Sequence, residues 1–160
     1  MKKNKAFTLI ETIIALAVTA IVIGMIASLS VVANKLVDSE KYSAKCIAEF
    51  QSVKNKMETF FSDYSSSTYS LKLSDLSENE MLVIKNGEDS VAKVEIAENK
   101  LSFFKENEGD LVESDNFEFA NIISIEINSE INLDLISCTV KFDEFHDTTF
   151  LINIGGMALL

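Results

Sequence analysis

The amino-acid sequence predicts an α+β fold in which one long N-terminal helix packs on an antiparallel β-sheet. Residues Thr12 to Asn34 are uncharged and mostly Ile, Ala, Val, Leu and Met. From Lys35 to Tyr64 the apolar residues recur at steps of three, four and seven, which is typical of a helix with one buried side. From Leu82 onwards they alternate with polar residues, which is typical of half-buried strands.

Residues 12–34 are long enough to cross a membrane. At about 1.5 Å per residue a helix of this length measures roughly 35 Å, and the hydrocarbon layer is about 30 Å thick. A single span must be helical because lipid offers no partner for backbone polar groups. Lys2, Lys3 and Lys5 precede the span, so we expect the N-terminus to stay in the cytoplasm and the rest of the chain to be exported.

The unusual residue of this segment is Glu11, an acid at the edge of the apolar run. A carboxylate at the centre of a membrane span costs about 2.5–3.5 kcal/mol, and intramembrane ionisable residues are usually functional. A simple anchor would need no acid at this position.

A basic head, the hexapeptide Ala-Phe-Thr-Leu-Ile-Glu at 6–11 and a long apolar run follow each other in this order. This arrangement resembles the N-terminus of type IV pilins and pseudopilins. The resemblance implies that residues 1–6 are a leader, that a prepilin peptidase cuts between Ala6 and Phe7, and that the same enzyme N-methylates Phe7. It also implies that Glu11 pairs with the N-terminal amine of a neighbouring subunit during assembly. The family usually has glycine where this chain has Ala6.

The resemblance further implies a structural subunit, a minor pilin or pseudopilin, of a filament that serves adhesion or motility, DNA uptake or protein secretion. Its expected partners are other pilin subunits, the prepilin peptidase, the inner-membrane assembly platform and the cytoplasmic membrane. Its expected location is the bacterial cytoplasmic membrane, as a single-pass protein, and then a cell-surface filament. Two alternatives remain open: a monomeric, membrane-anchored extracellular binding domain, and a secretory signal cleaved near Ala33.

The helix is predicted to cover residues 7–64, with the transmembrane part at about 12–34, and the β-rich head residues 65–160. Its outer half has an apolar stripe that the head is expected to cover: Leu36, Tyr42, Cys46, Phe50, Val53, Met57, Phe60, Phe61 and Tyr64. Charged residues between them, Glu49 included, are interpreted as a solvated face. The serine-rich segment 65–70 is expected to end the helix.

The head is predicted to contain five to seven short strands in one antiparallel sheet. Tight turns are expected at Asn86-Gly87 and around Gly109. The apolar C-terminal residues 157–160 are expected either to tuck into the head or to meet a partner subunit.

The charge of the chain is unevenly distributed. The net charge is −11, and residues 62–160 carry six lysines and 20 acidic residues. Such an acidic head argues against direct binding of nucleic acid, which requires basic residues to neutralise phosphates. No nucleophile elbow, phosphate-binding glycine loop or second histidine is present, so we expect neither an enzyme nor a cofactor.

Two cysteines, Cys46 and Cys138, could form a disulfide outside the cell, or both could be buried thiols. Their spacing alone does not decide between these alternatives.

We expect no metal site, although two clusters of polar residues contain side chains of the kind that bind metal ions. The acids around Gly109 are interpreted as a solvated loop rather than a calcium site, because their spacing does not fit a helix-loop-helix calcium loop. These acids are Glu106, Glu108, Asp110, Glu113 and Asp115. Residues 143–147, which contain the single His146, are interpreted as an exposed turn.

Overall fold

A computed structural model of the chain describes residues 8–73, 80–97, 99–129, 135–143 and 146–159. The predicted cleavage and methylation residues, Ala6 and Phe7, lie outside the described residues, as does part of the predicted polar turn at 143–147. The chain divides into two compact units, Met1–Ala44 and Lys45–Leu160.

Helix α1 spans Leu9–Ser62, 54 residues, and its chain contains no proline that would interrupt it. Its first backbone bond runs from the Thr12 N–H to the Thr8 carbonyl, at 3.2 Å. After Ser62 the helix ends in a turn whose hydrogen bonds reach back three residues instead of four. They run from the Asp63 N–H to the Phe60 carbonyl and from the Tyr64 N–H to the Phe61 carbonyl. The predicted helix end at Tyr64 therefore falls in this closing turn, which is a common way for a helix to satisfy its last carbonyls.

The first unit consists, in its described part, of the apolar half of α1. Its most apolar window has a mean hydropathy of 2.5 and none of it is buried, so by length and composition the helix is able to cross a membrane. The hydroxyls of this segment bond back to carbonyls one turn earlier: Thr19 to Ala15 at 2.8 Å and Ser30 to Ile26 at 3.0 Å. These bonds satisfy the polar groups without water, as a lipid environment requires.

The second unit contains nine strands within the described residues, more than the five to seven expected. They are β1 Ser70–Leu73, β2 Glu80–Asn86, β3 Asp89–Ala97, β4 Lys100–Asn107, β5 Asp110–Glu118, β6 Ser124–Ser129, β7 Leu135–Lys141, β8 Asp147–Asn153 and β9 Ala158–Leu159.

The strands form two sheets, which corrects the expectation of one. Strands β5-β4-β3-β2-β1-β9 lie side by side in this order in a six-stranded sheet, and β6-β7-β8 form a second sheet. Neighbours pair antiparallel, except that β1 and β9 are parallel. The predicted continuous alternation from Phe117 to Ile127 is broken between the sheets, because residues 119–123 form the connection from β5 to β6.

Both predicted tight turns join neighbouring strands of the larger sheet. Gly87 follows β2 with a φ of 66°, and Gly109 follows Glu108 between β4 and β5 with φ values of 95° and 56°. Two consecutive residues with positive φ are what a two-residue hairpin loop of the mirror-image type needs, because its twist matches that of the strands.

Residues from α1 and from both sheets share one hydrophobic core in the second unit. The Phe50 ring meets the Phe150 ring of β8 edge-on, with centroids 5.5 Å apart, and the Phe60 ring lies 5.1 Å from that of Phe103 on β4. The buried residues of the helix are Cys46, Val53, Met57, Phe60 and Phe61. The predicted stripe is therefore buried only from Cys46 onwards, and its first members, Leu36 and Tyr42, are exposed.

The described C-terminal residues, 157–159, lie against the head, in line with the first of the two alternatives, and Leu160 lies outside the described residues. Met157 is 3% exposed, and β9 pairs with β1. Before this strand, Gly155 has a φ of 59° and approaches the segment that follows helix α1 so closely that an added Cβ would lie 2.5 Å from the Ser65 Cβ. A glycine is needed at this position both for its backbone angle and for lack of space.

Candidate assembly site at the start of the helix

Glu11 lies in the first turn of α1, and its carboxylate folds back onto Thr8. The Thr8 N–H donates to Glu11 Oε2 at 2.9 Å, and the Thr8 hydroxyl donates to the same oxygen at 3.0 Å. In return the Glu11 N–H donates to Thr8 Oγ1 at 3.4 Å.

This reciprocal arrangement is a capping box, in which an N-cap Ser or Thr and a Glu three residues later satisfy each other's backbone N–H groups. It begins the helix at Leu9 because the first amides of a helix have no partner within it. Sequence reasoning missed the role of Thr8, although the spacing Thr-x-x-Glu before an apolar run is the usual signal for such a cap.

Large apolar side chains surround this acid on the helix surface. Leu9 is 81% exposed, Ile10 69% and Ile13 56%. Within the described residues, the hydrogen bonds to the Glu11 carboxylate come from Thr8 alone. Chemically the site can therefore accept a positive charge or a further hydrogen-bond donor from another molecule, and its apolar rim favours a partner that excludes water.

Comparison with protein families bears on this N-terminal segment. A family described as the prokaryotic N-terminal methylation motif matches residues 1–27. The chain carries the N-terminal signature of type IV pilins and pseudopilins. This signature marks substrates of the prepilin peptidase that assemble with other pilins, and proteins that carry it are structural rather than catalytic. A search of curated proteins and of solved structures found no match to this pilin-type chain.

The two cysteines of the pilin-type chain are free thiols, and both are buried. Cys46 lies on α1 at 7% exposure, and Cys138 lies on β7 at 0%. Burial raises the pKa of the Cys138 thiol to about 12, because an apolar environment disfavours the charged thiolate. A buried neutral thiol packs like a small apolar side chain and is chemically inert.

The acids around Gly109 belong to the hairpin of β4 and β5 and are exposed, as expected, and two of them on β5 also form ion pairs. Residues 110–118 form β5, and Glu113 accepts a hydrogen bond from the Lys100 ammonium at 2.7 Å. Asp115 forms an ion pair with Lys56 of the helix. These lysines hold the pKa of both carboxyls below the ordinary range, because a nearby positive charge and its hydrogen bond stabilise the ionised form.

Among the described residues there is no group of three or more His, Cys, Asp or Glu side chains that could hold a metal ion. The His146 Nδ1 lies 2.8 Å from both carboxylate oxygens of Asp143, and the His146 N–H donates to Asp143 Oδ1 at 2.8 Å. The imidazole is 77% exposed.

Glu49 is a second residue whose partners sequence reasoning missed. Instead of facing solvent, its carboxylate accepts hydrogen bonds from the Ala120 N–H at 3.1 Å, from the Asn121 N–H at 3.0 Å and from the Asn121 side-chain amide at 2.7 Å. These donors belong to the connection between the two sheets. No pattern in the sequence points to this contact, because its partners lie 71 and 72 residues further along the chain.

Proposed function

We propose that this chain is a minor pilin or pseudopilin, a structural subunit of a type IV pilus-like filament. The N-terminal methylation motif at residues 1–27 carries the proposal. In it, the peptidase cuts between Ala6 and Phe7 and methylates Phe7, and the mature chain enters the filament through its apolar helix.

The exposure of the apolar helix supports a role in assembly. The large apolar side chains of residues 9–32 are 47% or more exposed, so the subunit alone gives them no cover. Lipid covers them before assembly, and neighbouring helices replace the lipid afterwards, since close packing of apolar side chains is what associates helices in a membrane.

Glu11 then sets the axial register between subunits. An unpaired charge in an apolar setting is costly, whereas an amine within about 4 Å compensates it strongly. Only an arrangement that brings the N-terminal amine of one subunit to the Glu11 carboxylate of the next satisfies both charges.

The lysines before the span favour an N-terminus on the cytoplasmic side and an exported head. The inner-membrane platform then draws the subunit into the filament. The acidic head is a surface for contacts with other subunits and with the exterior. The filament that contains this head would serve adhesion, motility, DNA uptake or secretion, and the acidic head would not bind nucleic acid directly.

The test is the substitution Glu11→Ala, with Glu40→Ala as the matched control on an exposed turn of the same helix. Both variants should be found in the membrane and, after processing, should begin at Phe7. Glu40→Ala should appear in sheared filaments at the wild-type level, and Glu11→Ala should be absent from them.

Three results would contradict the proposal. Normal incorporation of Glu11→Ala would remove the assumed role of the acid. A wild-type chain that stays in the membrane fraction and never appears in sheared material would instead indicate an anchored binding domain, and a mature N-terminus at about Asn34 would indicate a secretory signal.

A further inference from the structure

The two sheets have four edge strands within the described residues, and three of these carry features that hinder pairing with a further strand. Strand β9 is only two residues long. Strand β5 carries four acids, and its register with β4 is irregular between Phe103 and Phe104. Strand β6 has the charged Glu126 near its middle. Short length, charges and bulges are the usual devices against edge-to-edge association of sheets.

The fourth edge strand, β8, carries none of these features from residue 148 to residue 153. This segment reads Thr-Thr-Phe-Leu-Ile-Asn and contains no charge, proline or glycine. It pairs with β7 residue for residue, without a shift in register. Because β-branched and aromatic residues favour strands, an uncharged segment of this kind is a typical template for a further strand.

The free side of β8 is accessible. Within the described residues its backbone groups bond to β7 and to no other strand or loop. The side chain of Leu151 is 51% exposed. A cavity of about 380 Å³ lies beside the end of the strand, and its lining includes Ser62 of α1 together with Leu151 and Asn153. The helix therefore does not close this edge of the sheet.

We propose that the free edge of β8 pairs with the same edge in a second copy of this chain. The two β8 strands run antiparallel, and two three-stranded sheets become one sheet of six strands. A register centred on Phe150 uses all seven residues of β8 and keeps outward-facing residues opposite outward-facing ones. Its cross-strand pairs are Asp147 with Asn153, Thr148 with Ile152, Thr149 with Leu151, and Phe150 with its own counterpart.

The charge of the head favours this edge as the place where a second copy approaches. Residues 62–160 carry 20 acids and six lysines, so two heads that meet by an acidic surface bring like charges together. Asp147 is the only charged residue of β8, and the antiparallel register sets it against an amide and not against the other Asp147. Like charges directly opposite each other destabilise strand pairing, whereas aromatic and β-branched pairs stabilise it.

The contact closes on two copies. It is isologous, because both copies use the same surface, and such a contact does not propagate. It is therefore distinct from the repeating contact of a filament and suits a subunit that is present in few copies. It involves neither residues 1–27 nor Glu11, so it goes beyond the proposed function. One pair of short strands buries less area than a standard interface, so we expect the pair to form chiefly when both copies are anchored in one membrane.

Disulfide cross-linking of the full-length protein in phosphatidylcholine vesicles tests the register. Copies with Thr149→Cys and copies with Leu151→Cys are reconstituted separately and together and are then oxidised with copper phenanthroline. Since residues 149 and 151 face each other across the pair, the mixed vesicles should yield at least about threefold more dimer than either variant alone. Val112→Cys sets the background, because Val112 is 48% exposed on the edge strand β5. The pairing is overturned if the mixed vesicles yield no more dimer than the separate ones or than Val112→Cys.

Substitution by lysine tests the strength of the contact. Energy transfer between donor- and acceptor-labelled copies, both labelled at Ser67→Cys, measures association in the same vesicles. Leu151→Lys places a charge at two positions of the pair and should weaken association about five- to twentyfold, as should Thr149→Lys at the facing position. Val112→Lys, the same change at a similarly exposed residue, should stay within about twofold of the wild type.

Wild-type association of both Leu151→Lys and Thr149→Lys would refute the pairing. The vesicles contain neither filament nor peptidase, so the result does not depend on how Glu11→Ala behaves in sheared filaments. Failure of the proposed function and failure of the β8 contact are thus observed separately.

Discussion

The carboxylate of Glu49 on the helix holds both the backbone N–H and the side-chain amide of Asn121, at 3.0 and 2.7 Å. It thereby ties the connection between the two sheets to the helix on which both of them pack. The neighbouring residues Phe119 and Ile122 are buried at 3% and 7% exposure. This short connection is therefore anchored by apolar burial and by an acid, although its sequence contains no regular pattern.

Replacement of Glu49 by alanine should destabilise the head, because three donors lose their acceptor at once. We expect the free energy of unfolding to fall by about 1–3 kcal/mol, and Glu49→Gln, which keeps one carbonyl oxygen, to lose less. Thermal unfolding of the full-length protein in detergent, followed by circular dichroism, measures this. Glu40→Ala, on an exposed part of the helix, is the control. Equal stability of the Glu49 and Glu40 variants would show that the hydrogen bonds to the Glu49 carboxylate do not stabilise the head.

Gly155→Ala should destabilise the protein more than Gly156→Ala. Both glycines have positive φ, at 59° and 83°, so both substitutions strain the backbone by about 1–2 kcal/mol. Only at Gly155 would the new Cβ also collide with another residue, 2.5 Å from the Ser65 Cβ, whereas the space at Gly156 is open within 4 Å. Forced overpacking adds about 1–3 kcal/mol. Denaturant unfolding of the two variants measures the difference in their free energies of unfolding. Equal midpoints would show that the close approach to Ser65 adds nothing to the destabilisation.

The ion pair between Lys56 and Asp115 should stabilise the fold at neutral pH and fail in acid. The pKa of Asp115 is lowered by the hydrogen bond from Lys56. The stabilisation is therefore complete above the ordinary value of 3.8 and is lost as the pH falls through the depressed value, where the folded form must take up a proton. Because Asp115 is about half exposed, we expect no more than about 1 kcal/mol.

The variant that measures this is Asp115→Asn, with Asp110→Asn at the exposed start of the same strand as control. The stability difference between the wild type and Asp115→Asn should be present at pH 7 and should shrink as the pH falls below about 4. A difference that is independent of pH would assign the effect to packing rather than to charge.

The Cys138 thiol should resist alkylation in the folded protein. Its pKa is raised from 9.0 to about 12 by burial, and the thiolate is the reactive form. We expect mass spectrometry to find Cys138 unmodified after iodoacetamide treatment at pH 8.5 and fully modified in guanidinium chloride. The exposed site of a Ser67→Cys variant should react at once under native conditions, and rapid native labelling of Cys138 would contradict its burial.

The same thiol predicts how stability depends on alkaline pH. Below pH 9 the thiol is protonated in both states, so it contributes no pH dependence. Between pH 9 and about 12 the unfolded chain loses the proton and the folded chain keeps it, so the contribution of Cys138 to stability decreases as the pH rises. Comparison of the wild type with Cys138→Val over this range isolates the contribution, and parallel curves would disprove it.

Most of the elements of this fold could be predicted because their patterns are local. The 54-residue helix follows from an apolar run joined to a stripe with helical spacing, and the hairpins at Gly87 and Gly109 follow from turn residues between alternating strands. The number of strands and their division into two sheets could not be predicted in this way. The alternation from Phe117 to Ile127 resumes with the same period after an interruption at Asn121 and Ile122, and only packing of both sheets on the helix places residues 119–123 in the connection between them.

The candidate site divides in the same way. The position of Glu11 beyond a basic leader and before an apolar span identified it from the sequence alone, and the match to the methylation motif at residues 1–27 confirms the pilin-type signature. The predicted cleavage between Ala6 and Phe7, and the pairing of Glu11 with a neighbouring amine, remain predictions. Thr8 was available to sequence reasoning through its spacing from Glu11 and was overlooked.

By itself, then, the sequence determined the apolar helix, the placement of Glu11 at its start and the alternating head, since each is a property of residues that are near each other in the chain. Only the tertiary structure decided which charged residues find partners, such as Lys56 with Asp115 across 59 residues and Glu49 with Asn121 across 72. The physical reason is that an ion pair or a hydrogen bond depends on distances of a few ångströms, which are set by how the whole core packs and not by the local composition of either segment.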